Sequence, residues 1–169
     1  MTADSRATDP TERALQIRPA IAADADFISG FVARFAESGA LPWRDPALMA
    51  TFHASGVAQV VAHARAPEEG HQVLVATAGD GQPLGFIYLH NQRSGLTGEE
   101  QGYVSMLSVT REAEGRGVAR ALLAAAEDWA REQGFRHLAL DTFGDNLRAR
   151  AVYAHLGFAE ESLKLVKAL

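Results

Sequence analysis

One segment constrains the fold of this chain more than any other. In "EAEGRGVARALLAAAEDWA", residues 112–130, two glycines stand directly before a run with the periodicity of an amphipathic helix. The apolar face of this helix would consist of Val118, Leu122, Ala125 and Trp129. The preceding residues 103–110, "YVSMLSVT", are typical of a strand. A strand that leads through a glycine loop into a helix exposes backbone amides at the helix start, and these suit an anion such as a phosphate.

The other predicted elements surround this unit. Further strands are predicted at 15–20, 71–77, 83–91, 135–142 and 162–169. Helices are predicted after the capping residues Asp24 and Asp45, and a short one at 145–156. The order β–α–α–β–β–β–α–β–α–β predicts an α/β chain of the α+β type with a mixed, mostly antiparallel sheet. Residues 1–14 lack periodicity and are predicted to be a flexible leader to a single domain over 15–169.

Composition excludes several classes of protein. With 169 residues, 47% of them hydrophobic and 22% charged, the chain is typical of a globular domain. A formal net charge of −5 argues against binding to nucleic acid. There is no cysteine, and no two of the six histidines have metal-ligand spacing on a helix, so we expect neither a thiolate nucleophile nor a metal. No segment is typical of a signal sequence or a bilayer-spanning run, which predicts a cytoplasmic protein without a membrane partner.

Nucleotide-binding motifs explain the glycines poorly. A phosphate loop of the type G-x-x-x-x-G-K-[ST] is missing from the sequence. A dinucleotide fingerprint, G-x-G-x-x-G, fits Gly115 and Gly117 but has Arg120 in place of its third glycine. Asp141 follows the next strand, where a ribose-binding acid would stand, yet too few residues come after it to complete a doubly wound sheet. The simplest remaining alternative is a tight strand-to-helix turn without a ligand.

Two blocks of the sequence resemble the GCN5-related N-acetyltransferase superfamily. The acetyl-CoA-binding motif of that family is Q/R-x-x-G-x-G/A, and residues 114–119, "EGRGVA", match it at Gly117 and Ala119. Glu114 replaces the Gln or Arg of the first position, which puts an acidic side chain at the edge of a phosphate site. Residues 146–158, "NLRARAVYAHLGF", match a second block, N-x-x-A-x-x-x-Y-x-x-x-G-F. Both blocks stand in the family's order, and the first half of the chain matches in its order of elements.

The resemblance implies the acyl-CoA N-acyltransferase fold, a twisted sheet of about six or seven strands flanked by four helices. It implies that amides of the glycine loop hold the CoA pyrophosphate and that the main chain of Leu107 and Val109 contacts the pantetheine arm. Asn146 would lie beside this arm, or simply cap a helix. Arg116 and Arg120 would contact phosphates, or be solvated surface residues. The expected acetyl-CoA contacts are Leu107, Val109, Gly115, Arg116, Gly117, Val118, Ala119, Arg120 and Asn146.

Tyr153 is the catalytic residue that the resemblance implies, placed near the CoA sulfur. A departing thiolate needs a proton, which a phenol can donate; the alternative is a half-buried structural aromatic. The proton acceptor for the attacking amine is left open, because this chain has Ser105 where family members often carry a glutamate. The candidates, acting through water, are Glu99, Glu100, Tyr103 and Asp141. A weakly basic acceptor amine would need none of them.

The resemblance therefore implies an acetyl-CoA-dependent N-acetyltransferase that moves an acetyl group to a primary amine by direct attack. The alternative is a non-catalytic acyl-CoA-binding or sensing module of the same fold. The acceptor is expected to be a small-molecule or peptide amine. Trp43, Phe52 and Tyr88 would either line an apolar acceptor pocket or belong to the core. A homodimer is a further expectation from the family.

Overall fold

Five strands form one sheet in the part of the chain that the computed structural model describes, residues 15–38 and 41–168. In chain order and in order across the sheet they are β1 (Gln16–Pro19), β2 (His71–Thr77), β3 (Pro83–Arg93), β4 (Glu100–Val109) and β5 (Leu138–Leu140). The α-helices are α1 (Ala25–Ser29), α2 (Val32–Ser38), α3 (Pro46–Arg65), α4 (Val118–Glu132) and α5 (Leu147–His155). Short 3-10 turns lie at Ala22–Asp24 and Arg111–Ala113. The predicted leader, residues 1–14, is outside the described residues.

The sheet separates two hydrophobic cores. Neighbouring strands are antiparallel except β4 and β5, which run parallel and are joined through α4. Successive side chains of a strand point to opposite faces, so Phe86 and Tyr88 of β3 pack with α1 and α3. Ile87 and Leu89 point the other way and pack with α4, whose Leu122 is fully buried. None of the helices among the described residues has both the length and the apolar composition needed to cross a bilayer.

The mixed, mostly antiparallel α+β architecture is confirmed, although the number of elements differs. The sequence predicted about six or seven strands and four helices, whereas the described residues form five strands and five α-helices. Residues 162–168 of the predicted last strand form no strand, and Leu163 and Leu165 are 73% and 90% exposed. An alternating pattern favours a strand only where a neighbouring strand and a packed face are available. Here β5 pairs over three residues and is shorter than the predicted 135–142.

The predicted first helix is divided in two. The regular α-helix is interrupted between α1 and α2 by a turn at Gly30 and Phe31, where the Phe31 amide bonds three residues back to the Ile28 carbonyl. Glycine in a helix interior costs about 1 kcal/mol relative to alanine, which favours a break at this position. The apolar side chains still reach the core, where the Phe31 ring meets Phe86 edge to face at 5.3 Å.

Asp24 occupies the N-cap position of α1 as predicted, but its side chain makes no capping hydrogen bond to this helix. Its carboxylate accepts two hydrogen bonds from the Arg18 guanidinium, at 2.7 and 2.8 Å, and one from the Ile21 amide at 2.8 Å. These partners outcompete the helix start for the same oxygens. The Arg18 hydrogen bonds hold the pKa of Asp24 below its usual 3.8. The pair ties β1 to the turn that precedes α1.

Replacing this carboxylate is expected to destabilise the fold. Asp24→Asn should lower the free energy of unfolding by about 2 kcal/mol at neutral pH, because Arg18 loses its counter-ion at a site where Asp24 is buried. A lowered folded-state pKa stabilises the fold above pH 3.8, and this contribution is lost as the pH falls through the folded-state value. The difference between wild type and variant in urea unfolding should therefore shrink below pH 3.8.

Asp26→Asn, at an exposed position two residues on, is the matched control. We expect it to change the free energy of unfolding by less than about 0.5 kcal/mol. Equal losses in the two variants would contradict a specific role for the Arg18–Asp24 pair.

Candidate active site

The sheet opens between β4 and β5. Their parallel pairing begins with Gly102 opposite Leu138 and ends with Val104 opposite Leu140. The register between β3 and β4 skips Ser105, a bulge of the kind that bends a strand beside functional sites. Beyond it, residues 105–109 have no parallel partner among the described residues and line a cavity of about 1120 Å³. This slot leaves the β4 main chain available to an extended ligand.

The glycine loop forms one end of the cavity. Gly115 and Gly117 have φ of +73° and +80°, and a Cβ added at either would meet no atom of the described residues within 4 Å. The need for glycine here is therefore conformational, since left-handed φ is unfavourable for other residues. Gly117 is the N-cap of α4. The first amides of a helix have no partner inside it, and together with the positive end of the helix dipole they form an anion site.

The acidic residue of the motif is neutralised by two arginines. The Glu114 carboxylate accepts hydrogen bonds from Arg34 on α2 and from Arg148 on α5, the latter at 2.5 Å. These bonds lower the pKa of Glu114, that from Arg34 most strongly. All three side chains line the cavity. Glu114 therefore does not present an unpaired anion to a phosphate.

Nine of the ten predicted site residues line this cavity. They are Leu107, Val109, Gly115, Gly117, Val118, Ala119, Arg120, Asn146 and Tyr153. Arg116, between the two glycines, is not part of the cavity wall. The Asn146 side chain accepts a hydrogen bond from the Ala149 amide at 3.1 Å, which confirms that it caps α5. Asn146 therefore both starts a helix and faces the cavity.

Tyr153 is suited to hold a proton beside the slot. It lies on α5 and is half-buried, with its ring edge to face against Phe158 at 5.8 Å. Burial raises the pKa of its phenol, so the hydroxyl stays protonated at neutral pH. Gly157, at φ +91°, ends the helix and directs the chain so that Phe158 lies against Tyr153. The Phe158 amide donates a hydrogen bond to the Tyr153 carbonyl at 3.0 Å. The second sequence block thus positions the tyrosine.

The structure reduces the number of candidate proton acceptors for the attacking amine. Tyr103 and Asp141 line the cavity, and the Tyr103 hydroxyl donates to Asp141 at 2.7 Å. Burial and this bond raise the pKa of Tyr103, which therefore keeps its proton, so Asp141 is the candidate acceptor that remains of this pair. Neither of the other two candidates is part of the cavity wall: Glu99 bonds to Thr97, and Glu100 pairs with Arg93.

The three aromatic residues proposed for an acceptor pocket lie in different parts of the structure. Phe52 lines the cavity and is 64% exposed. Tyr88 is 1% exposed and belongs to the core beneath α3, which is the alternative to a pocket role that the sequence analysis gave for it. Trp43 is exposed and is not part of the cavity wall.

His53 is a cavity residue that the sequence reasoning missed. It is 4% exposed, its Nε2 has no hydrogen-bond partner among the described residues, and burial lowers its pKa. Its ring stacks on Phe35 at 6.4 Å and meets Phe143 edge on at 6.2 Å. A signal was present, because His53 shares the apolar face of α3 with Val57 and Val60. A histidine on such a face is neutral at pH 7 and able to accept a proton.

A second group of side chains, outside the cavity, could hold a metal ion. His63, Glu68 and His71 each offer a ligand atom within 4.8 Å of the others. These residues do not have the spacing of two histidines on one helix, because they lie at the end of α3, in the following loop and at the start of β2.

Comparison with known proteins decides the family. The sequence profile of the Acetyltransferase (GNAT) family matches residues 38–158, which contain α3, the slot, the glycine loop and Tyr153. The chain belongs to the GNAT family. The predicted relationship is thus confirmed.

Curated relatives and solved structures agree with this assignment. An aminoglycoside N(6')-acetyltransferase of Stenotrophomonas maltophilia is 36% identical over 91 residues, which are 52% of this chain and 60% of that protein. A mycothiol acetyltransferase of Beutenbergia cavernae is 40% identical over 85 residues, 50% of this chain and 27% of that protein. The matches thus span less than two thirds of these relatives. A GCN5-related N-acetyltransferase from Ralstonia eutropha has the same fold, with a TM-score of 0.69 at 21% identity over 92% of this GNAT chain and 98% of its own.

Proposed function

We propose that this GNAT protein is an acetyl-CoA-dependent N-acetyltransferase that acetylates a primary amine by direct attack. The observation that carries the proposal is the slot between β4 and β5, which runs from the glycine loop at the start of α4 to Tyr153 on α5. Acetyl-CoA has a phosphate end and an extended arm that ends in the thioester. The cavity offers one feature for each of these parts: an anion site for the phosphates, a free strand edge for the arm and a proton donor for the thioester sulfur.

The glycine loop would bind the phosphate end of acetyl-CoA. Amides of residues 115–119 at the start of α4 would bind the pyrophosphate, aided by the helix dipole. Arg120 and Arg148 line the same cavity and add charge-assisted contacts to phosphate oxygens. Because Arg34 and Arg148 hold Glu114, this substitution in the motif is compatible with CoA binding. Main-chain groups of Leu107 and Val109 would pair with the arm along the free edge of β4.

The acetyl transfer itself would take place at the Tyr153 end of the slot. The amine nitrogen forms a bond to the thioester carbonyl carbon, and the carbon–sulfur bond breaks. Tyr153 donates its proton to the departing sulfur. The proton lost by the amine goes to Asp141 or His53, the two cavity groups able to take it. Holding amine and thioester together supplies most of the acceleration, worth about 7–11 kcal/mol in well-oriented systems.

The proposed acceptor carries a single amine on an apolar or aromatic body. Phe35, Phe52 and Phe143 line the cavity around His53. The carboxylates in its described wall are Asp141 and Glu114, and Glu114 is neutralised by arginines. Four arginines line the same cavity: Arg34, Arg111, Arg120 and Arg148. With Glu114 held by Arg34 and Arg148, Asp141 is the one carboxylate of the described wall left to receive an ammonium group, whereas a polycation such as an aminoglycoside carries several.

Release of the CoA thiol from acetyl-CoA, measured with 2-phenylethylamine, spermidine and kanamycin, tests the proposal. We expect saturable, amine-dependent release, with kcat/KM for the monoamine at least about tenfold higher than for either polycation, a difference of about 1.4 kcal/mol. Kanamycin as the best substrate would overturn the acceptor class while leaving the transferase in place. Saturable acetyl-CoA binding without turnover on any amine would favour the alternative, a non-catalytic acyl-CoA-binding module.

A further inference from the structure

We propose that His63, Glu68 and His71 form a binding site for a divalent transition metal such as zinc, separate from the CoA slot. His63 lies in the last turn of α3, Glu68 in the following loop and His71 at the start of β2. Their ligand atoms all lie within 4.8 Å of one another. Bonds of about 2.0–2.1 Å place the ligands of a tetrahedral zinc about 3.3 Å apart. The His63 and His71 rings are stacked at an interplanar angle of 9°, so the two rings rotate out of the stack when their nitrogens bind one ion.

An unsatisfied buried nitrogen supports the site. The Nδ1 atom of His63 is buried and has no hydrogen-bond partner among the described residues. Such a group costs free energy and calls for an explanation in a folded protein. The His63 ring stacks on His71 with centroids 4.2 Å apart. A metal ion bound by both rings would give the unpaired nitrogen a partner.

The surroundings of His71 prepare it as a ligand. Its Nδ1 lies 2.7 Å from the hydroxyl of Tyr88, so a bond donated to that oxygen leaves Nε2 with a free lone pair. Metal-bound histidines usually donate their second nitrogen in this way.

The ligand chemistry selects the class of ion. Two imidazoles and one carboxylate favour zinc, cobalt or nickel over magnesium or calcium, which prefer oxygen ligands. Two neutral rings and one carboxylate reduce a charge of +2 to +1, and water takes the remaining position. The bound ion would join the C-terminal end of α3 to β2 across residues 66–70, the connection between helix and sheet.

Titration of the full-length chain, chelator-treated and free of a polyhistidine tag, tests the proposal. Calorimetry with Zn²⁺ and visible absorption with Co²⁺ should both give saturable binding of a single equivalent. His71→Ala and Glu68→Gln should each weaken Zn²⁺ binding at least about tenfold. The Glu68 side chain is exposed, so its variant removes a ligand without disturbing the core. His137→Ala, at an exposed histidine far along the chain, is the control and should bind as the wild type does.

The outcomes are distinct from those for the acetyltransferase. Absence of saturable Zn²⁺ and Co²⁺ binding would overturn the metal site, whatever the thiol-release assay gives. Equal affinity in wild type, His71→Ala and Glu68→Gln would overturn it too. A loss of binding confined to His137→Ala would place the metal elsewhere and equally contradict the proposal.

Discussion

Gly117→Ala is expected to weaken acetyl-CoA binding at least about tenfold, or about 1.4 kcal/mol. Gly117 has φ +80° at the N-cap of α4, a conformation that costs an alanine about 1–2 kcal/mol. If the backbone keeps this conformation, the new methyl group stands beside the amides proposed to hold the pyrophosphate. If the backbone relaxes, those amides turn away. Both responses weaken the anion site, and calorimetric titration with acetyl-CoA measures the loss.

Gly134 provides a matched control at the other end of the same helix. Its φ is +79°, a Cβ there would also meet no atom within 4 Å in the part of the chain that the structure describes, and Gly134 is not part of the cavity wall. Gly134→Ala therefore imposes the same backbone cost without touching the proposed phosphate site. We expect similar losses of thermal stability in the two variants and a dissociation constant for acetyl-CoA that changes only in Gly117→Ala. Unchanged affinity in Gly117→Ala would contradict the phosphate assignment.

Tyr153→Phe is expected to lower kcat at least about tenfold while the dissociation constant for acetyl-CoA stays within about twofold of wild type. The substitution removes the proposed donor of a proton to the departing sulfur. It keeps the ring that packs on Phe158. Because burial raises the pKa of Tyr153, the wild-type phenol stays protonated through the neutral range, and the loss should be similar at pH 7 and pH 8.

Tyr88→Phe is the control for the loss of a phenol. Tyr88 is buried in the core and bonds to His71, outside the cavity. Its variant should keep the wild-type kcat. Turnover by Tyr153→Phe at the wild-type rate would remove that hydroxyl from the proposed mechanism.

Local patterns in the sequence were sufficient for much of the fold. Asp45 caps α3 through a bond from the Ala47 amide, Pro46 takes the first helical position, and the helix ends at Arg65, as predicted. Gly134 and Gly157 end α4 and α5 in left-handed conformations, also as predicted. These features depend on side chains acting on backbone a few residues away, which sequence spacing records directly.

Features that depend on distant contacts were not predictable in this way. Asp24 has the sequence context of a helix cap, but Arg18 takes its carboxylate. The pattern of residues 162–168 fits a strand, yet no strand among the described residues pairs with it. From the sequence alone, Glu114 seems to oppose phosphate binding. In the structure its carboxylate pairs with Arg34 and Arg148, which are far from it in the chain. His53 reaches the cavity only through the way α3 packs on the sheet.

A crystal structure of the chain with bound CoA tests the central claim most directly. We predict that the pyrophosphate lies within hydrogen-bond distance of amides in residues 115–119. The pantetheine arm should run along residues 105–109 in the slot between β4 and β5, with its sulfur toward Tyr153. CoA bound outside this slot, or with its phosphates away from the glycine loop, would contradict the account.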